Sequence, residues 1–156
     1  LKTTFTADMF GAVAHYAASS EDVGQDGSVG HVELNGKLAG ISAAVGYITT
    51  DKDAGLASIS KFGDSLSPFD AGNYVFSADA KSIYGTLAYS IAEVDLGLVY
   101  GQTTYSSLDD KEKELNLTAS YTITKSLSTS LLYANIDAQS NDDDNNYASV
   151  TVEYTF

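Results

Sequence analysis

The chain has 156 residues, with 21 acidic and 8 basic side chains, a net charge of −13 and no cysteine. This length suits one domain, and the missing cysteine excludes a disulfide framework, a cysteine-based zinc site and a thiol nucleophile. Because so acidic a chain is repelled by nucleic acid and by anionic lipid headgroups, we expect no nucleic-acid partner. No window approaches 18 consecutive apolar residues, so we expect no helix that spans a bilayer.

Apolar and polar residues alternate with period two along most of the chain, which indicates β-strands rather than amphipathic helices. In residues 114–124 one face carries Leu115, Leu117, Ala119, Tyr121 and Ile123. The pattern predicts nine strands at about 1–7, 10–19, 30–37, 39–50, 80–91, 93–105, 111–124, 126–138 and 147–156. A further strand within 51–79 is the alternative count.

The predicted connections alternate strictly between short and long. Short turns fall at 7–9, 37–38, 92–93 and 125–126, and longer polar connections fall at 20–29, 51–79, 106–110 and 139–146. A soluble β-sandwich has no reason to segregate its loops in this way. Short turns at one rim and long loops at the other are typical of an up-and-down β-barrel in the bacterial outer membrane.

Aromatic residues add a second, independent indication of a membrane barrel. Tyr16, Tyr47, Tyr100 and Tyr133 fall near the predicted long-loop rim, and Phe5, Tyr121, Tyr154 and Phe156 fall near the short-turn rim. Two bands of amphipathic rings at opposite heights are favoured at the two membrane interfaces. The simpler reading is that tyrosine is common in any half-buried strand.

The predicted inward face is rich in Thr, Ser, Asn and Gly and carries scattered charges. These are Lys2, His15, His31, Glu33, Lys37, Asp95, Glu114 and Glu153. Complete single-chain bacterial barrels have an even number of strands, so nine strands predict part of a larger barrel, either its C-terminal portion or a barrel whose earlier strands lie outside this sequence, and a barrel of about sixteen or more strands leaves an aqueous channel. Such a barrel encloses water, and the slight excess of acidic groups predicts a mild preference for cations. The alternative is a small closed barrel, or a surface β-protein with a structural or adhesive role through its acidic external loops.

The connection at 51–79 is the longest, and loops of this length are usually functional or disordered. One reading folds it into the barrel as a constriction, with Lys61, Asp64 and Asp70 near the passage. The other leaves it outside as a lid or surface epitope.

We expect no catalytic site and no cofactor. His15 and His31 with nearby serines form too generic a group to indicate acyl transfer, which needs defined geometry. Asp142, Asp143 and Asp144 offer oxygen ligands to calcium, but their spacing does not match a dedicated calcium loop.

The last ten residues, Tyr147–Phe156, alternate in polarity and end on an aromatic residue, as in the C-terminal β-signal of bacterial outer-membrane proteins. That resemblance implies recognition by the barrel-assembly machinery, with Val150, Val152, Tyr154 and Phe156 as the matching positions. The turn at 124–127 before Tyr133-Ala134-Asn135, and the run 69–74 before Ala80-Lys81-Ser82, resemble the C-terminal part of Opr-type porins, which include the epsilonproteobacterial major outer membrane proteins.

This second resemblance implies a general diffusion porin of about 16 to 18 strands for small hydrophilic solutes, surrounded by outer-membrane lipid and often trimeric. The chain has roughly half the length that the family needs, and the resemblance assigns no pore residue.

Overall fold

A computed structural model describes residues 1–20, 26–56, 66–72, 74–105, 110–139 and 144–155. These residues form nine β-strands, and no helix among them is long and apolar enough to cross a membrane. The strands are β1 (Lys2–Thr6), β2 (Phe10–Ser19), β3 (Gly27–Leu38), β4 (Ile41–Thr50), β5 (Lys81–Ile91), β6 (Val94–Tyr105), β7 (Asp110–Thr124), β8 (Leu127–Ala138) and β9 (Asn145–Tyr154).

All nine strands lie in one antiparallel sheet, in which each strand pairs with its neighbours in sequence. The predicted all-β, up-and-down architecture is therefore confirmed. Strands β1 and β9 are the two edges of this sheet, so the sheet does not close within this chain. The described part of residues 51–80 contains no strand, and this part gives no support to an additional strand there.

The turn between β3 and β4 differs from the sequence prediction. It lies at Ala39 and Gly40, with φ angles of 51° and 83°, and not at residues 37–38. Two positive φ angles match the tight hairpin turn that suits the right-handed twist of paired strands. The sequence signal was weak because alanine rarely adopts a positive φ. Strands β3 and β9 also begin earlier than predicted. The glycine and serine at 27–28 pair with β2, and the two asparagines at 145–146 pair with β8.

The two faces of the sheet have opposite chemistry. One face, here called the apolar face, carries large exposed side chains, among them Leu34, Val45, Ile83, Leu117 and Val150. The other, the polar face, carries the alternate residues, and several of its polar side chains are buried. The most buried are Ser82, Thr103, Glu112, Glu114 and Asn116. This arrangement is the reverse of a water-soluble sheet, in which the apolar face is covered.

The hydrophobic core lies on the polar face, under the long connection between β4 and β5. Val29, Ile48 and Tyr84 contribute from the strands. The connection contributes Leu56, Leu66, Phe69 and Val75. The core therefore attaches residues 66–72 and 74–79 to the same side of the sheet as the predicted channel-lining residues.

Candidate functional site

The connection between β4 and β5 is anchored at its base to the end of β4. The hydroxyl of Thr50 donates to the carbonyl of Ser77 at 2.5 Å and accepts from the amide of Ala80 at 2.9 Å. The amide of Asp79 donates to the carbonyl of Asp51 at 2.8 Å. These bonds fix where the segment leaves and re-enters the sheet.

The middle of this segment is bound to β7 by a buried carboxylate and a buried amide. Glu114 Oε1 accepts the backbone amides of Asp70 at 3.1 Å and Ala71 at 2.9 Å. Asn116 Nδ2 donates to Asp70 Oδ2 at 3.1 Å. Because a carboxylate bound by two amides makes strong, charge-assisted hydrogen bonds, Glu114 determines the position of this part of the segment on the sheet.

Gly72 allows the close approach to β7. A Cβ atom at this position would lie 2.7 Å from Glu114 Oε2, so the Glu114 carboxylate would have to move to admit it. Three residues before Gly72, Phe69 packs edge-on against Tyr84 with ring centroids 6.3 Å apart. A Cβ at Gly101 would lie 2.6 Å from the Phe69 ring, so glycine on β6 makes the depression that Phe69 fills. Glycines thus shape the surface that receives the segment.

A third aromatic contact lies further along the segment. The ring of Tyr74 stacks on Tyr105, at the end of β6, with centroids 4.0 Å apart and planes inclined by 5°. The segment is therefore attached to β6 and β7 at several points as well as to its own ends. It lies across the polar face, over Glu114 and Asn116.

Tyr84 joins the segment to a hydrogen-bonded group on β3. Its hydroxyl donates to Glu33 Oε2 at 2.6 Å and lies 2.8 Å from His31 Nε2. Since the hydroxyl proton is given to Glu33, His31 donates through Nε2. The ring of Tyr84 lies over Gly46, where a Cβ would be 2.2 Å from the ring. Glu33 also accepts from Asn35 Nδ2 at 3.2 Å, so its carboxylate has a defined orientation.

The structure places all the predicted lining residues on the polar face, although their role in a pore stays a prediction. Lys2 pairs with His15, which pairs with His31, and these three form one cross-strand group. Glu33 and Glu114 share one register row, two residues further from the long loops than His31. Lys37, Asp95 and Glu153 lie towards the short turns, and they are exposed.

The remaining predicted residues are only partly described. Asp70 lies against Asn116 on the polar face, whereas Lys61 and Asp64 are outside the described residues. Asp144 accepts the amide of Ala138 at 2.8 Å, and Asp142 and Asp143 are not described. Within the described ranges, no group of three or more His, Cys, Asp and Glu residues is arranged to hold a metal ion. Val150, Val152 and Tyr154 are exposed on the apolar face of β9, and Phe156 is not described.

Sequence reasoning missed several residues that build this site. Glu112 has the same parity as Glu114 on β7, so strand alternation alone could have placed it on the polar face. In β5, Tyr84 directly follows Ile83 and is the one aromatic ring that does not share the face of the large apolar residues. This alternation could have placed Tyr84 on the polar face. Alternation places Asn116 on the polar face with Glu114, but its contact with Asp70, like the contact of Phe69 with Tyr84, joins distant parts of the chain and has no signal in the sequence.

The apolar face has two lines of aromatic rings. Near the long loops these are Tyr16, Tyr47, Tyr100 and Tyr133, and near the short turns they are Phe5, Tyr89, Tyr121 and Tyr154. Tyr16 is aligned through Gly30 with Thr49, two residues beyond Tyr47. Tyr47 and Tyr100, and likewise Tyr100 and Tyr133, are offset by the same two residues over two strands. We call this line, near the long loops, the upper line.

In the line near the short turns, here called the lower line, the same offset of two residues over two strands separates Tyr89 from Tyr121 and Tyr121 from Tyr154. In both lines, the position of the ring therefore shifts by one residue along the strand register for each strand. With about 3.3 Å per residue and about 4.8 Å between strands, this slope corresponds to a strand tilt of about 35°. Strands of membrane β-barrels tilt by about 35 to 45°. If the strands have this tilt, each line of rings lies at a constant height.

Charges are also divided between the two faces. All eight basic residues of the chain are lysine. In β7 the sequence Lys111-Glu112-Lys113-Glu114 alternates, so both lysines lie on the apolar face and both glutamates on the polar face. Lys113 forms an exposed ion pair with Asp137 of β8 at 3.2 Å. The polar face is thereby acidic in β7, next to the segment that covers it.

Comparison with known proteins supports the fold. No family model matches the sequence, and a search of the curated proteins finds no match. Among solved structures, the chain is similar to OpdO from Pseudomonas aeruginosa, with a TM-score of 0.78 and 17% identity over 97% of this chain. The match covers 46% of OpdO, so the chain spans about half the length of that protein. The nine strands thus have the architecture of part of a porin barrel, which supports the resemblance to Opr-type porins.

Proposed function

We propose that this chain forms part of a water-filled channel in the bacterial outer membrane, through which small hydrophilic solutes and ions diffuse passively. The observation that carries the proposal is the pair of aromatic lines, which are parallel and have the slope expected of tilted barrel strands. Between them the apolar face is exposed, and contact with the hydrocarbon of a membrane would stabilise so large an apolar surface. The similarity to OpdO supports the same assignment.

The open sheet and its exposed apolar face support a channel rather than a small closed barrel or a soluble sandwich. A small closed barrel of these strands requires β1 to pair with β9, whereas the described strands form an open sheet with those two edges. A soluble sandwich requires a second layer over the apolar face, which is exposed in this sheet. On this proposal the polar face meets water, and transport involves no covalent chemistry and no cofactor.

The segment formed by the described residues 66–72 and 74–79 is proposed to narrow the channel. It lies on the polar face, where Glu114, Asn116 and Tyr84 hold it, and it presents the exposed carboxylate of Asp70. Three acidic residues are exposed on this face, Asp70, Asp95 and Glu153, compared with two exposed lysines, Lys2 and Lys37. Rings of acidic side chains favour cations, so we propose a mild cation preference.

Assembly is proposed to follow that of other outer-membrane barrels. The alternating, exposed residues of β9 are suited to recognition by the barrel-assembly machinery. Trimer formation is the expected oligomeric state, and native mass spectrometry of detergent-extracted protein measures it directly.

The test of the channel is reconstitution of the full-length protein in a planar bilayer. We expect stepwise increases in conductance, with a reversal potential in a potassium chloride gradient that favours potassium. A protein that inserts into the bilayer without conducting would contradict the proposal. Conductance with a reversal potential favouring chloride would retain the channel and reject the cation preference.

A further inference from the structure

Three lysines lie together on the apolar face, at the long-loop ends of β5 and β7. Lys81 is aligned through Thr104 of β6 with Lys111, and Lys113 is the register partner of Gln102. Because neighbouring strands are about 4.8 Å apart, the backbones of Lys81 and Lys111 are about 10 Å apart. Lys113 follows Lys111 by two residues on the same face. We call Lys81, Gln102, Thr104, Lys111 and Lys113 the lysine patch.

The height of the lysine patch is defined by the aromatic lines. Gln102 is two residues beyond Tyr100 on the same face of β6, so the patch begins where the upper line of rings ends. Below it the apolar face continues through Leu98 and Leu117, which are register partners. In a membrane, residues just beyond an aromatic line lie among the lipid headgroups. The patch therefore combines cationic donors with an apolar column beneath them.

The neighbouring carboxylates neutralise the patch only in part. Asp79 lies 3.3 Å from Lys81, and Asp137 lies 3.2 Å from Lys113. Both pairs are largely exposed, with 55% and 44% of the two lysine side chains accessible, and exposed ion pairs contribute little. An incoming phosphate can therefore compete for these ammonium groups. Lys111 is also exposed.

We propose that the lysine patch binds the phosphate of a lipid headgroup in the outer leaflet, with the acyl chains of that lipid against Leu98, Leu117 and their neighbours. Three ammonium groups, the Thr104 hydroxyl and the Gln102 amide supply donors to phosphate oxygens. The apolar column below the patch distinguishes a lipid from free phosphate, since only a lipid occupies both. This inference rests on the proposed function in one respect, which is that the apolar face lies in a membrane.

The test measures lipid binding to the full-length, detergent-purified protein by native mass spectrometry, with phosphatidic acid as the probe. We expect the double substitution Lys111→Gln with Lys113→Gln to weaken binding by about 25-fold, at about fivefold per lysine. The matched control is Lys125→Gln, at the opposite rim, which leaves binding unchanged. Asp137→Asn removes a competing carboxylate and strengthens binding.

Two further outcomes separate the alternatives. Phosphatidylcholine, whose headgroup has no net charge, should bind more weakly than phosphatidic acid. Equal loss of binding in Lys125→Gln, or no loss in the double variant, overturns the proposal. Inorganic phosphate that displaces the lipid at equal concentration would identify a free-phosphate site and also overturn it. Because binding is measured in detergent, failure of the protein to conduct does not affect this result.

Discussion

The two faces of this sheet are built from the same strands but have opposite physical requirements. On β7 the apolar face presents Leu115, Leu117 and Tyr121, and no segment of the described chain covers them. The polar face of the same strand presents Glu114 and Asn116, which the connection between β4 and β5 covers almost completely. Burial by protein therefore marks the polar side of this sheet, and exposure alone does not identify a water-facing surface.

The largest effect is expected from placing a charge on the apolar face. Ala119, on the apolar face of β7, lies about midway between the two aromatic lines, so Ala119→Lys should destabilise the full-length protein in lipid vesicles by about 2 to 4 kcal/mol. Its neighbour Thr118 is exposed on the polar face, and Thr118→Lys should change the free energy of unfolding by less than about 1 kcal/mol. Urea titration of vesicle-inserted protein measures both. Equal costs at the two positions would show that the faces do not differ in solvent.

A smaller effect is expected where the connecting segment meets the polar face. Glu114→Ala removes the acceptor of two backbone amides, which costs about 1 to 3 kcal/mol of local stability. The released segment should widen the passage, so single-channel conductance should rise and become noisier. Glu114→Gln retains the oxygen that accepts both amides and serves as the matched control, with conductance close to that of the unaltered protein. Identical conductance in Glu114→Ala would mean that the segment does not narrow the channel.

The smallest effect is expected on ion selectivity. Asp70→Asn keeps a side-chain oxygen for Asn116 but removes an exposed negative charge from the polar face. At about 6 Å in water, one charge changes the local cation concentration by about threefold, so the cation-to-anion permeability ratio should fall by up to that factor. Asp137→Asn, on the apolar face, removes the same charge and should leave the ratio unchanged. Reversal potentials in a salt gradient provide the measurement, and a loss of selectivity in both variants would argue against a lining role for Asp70.

Much of the fold was predictable because strand geometry is local. Side chains of a strand alternate between faces, so the sequence of β7 alone separates Leu117 from Asn116. The turn at Ala39–Gly40 was misplaced by two residues because alanine gives no signal for a positive φ. The site was less predictable. Glu114 was placed on the correct face, but its partners Asp70 and Ala71 are 44 and 43 residues away in the sequence.

Period-two patterning and the alternation of turns and loops were sufficient for the strand number, the order of strands and the identity of the two faces. Those properties depend on neighbouring residues and on the steric rule that successive side chains point in opposite directions. The seating of Phe69 against Tyr84, the capture of two amides by Glu114 and the common slope of the aromatic lines emerged only in three dimensions. They depend on the register between strands and on contacts between distant segments, which no local pattern in the chain encodes.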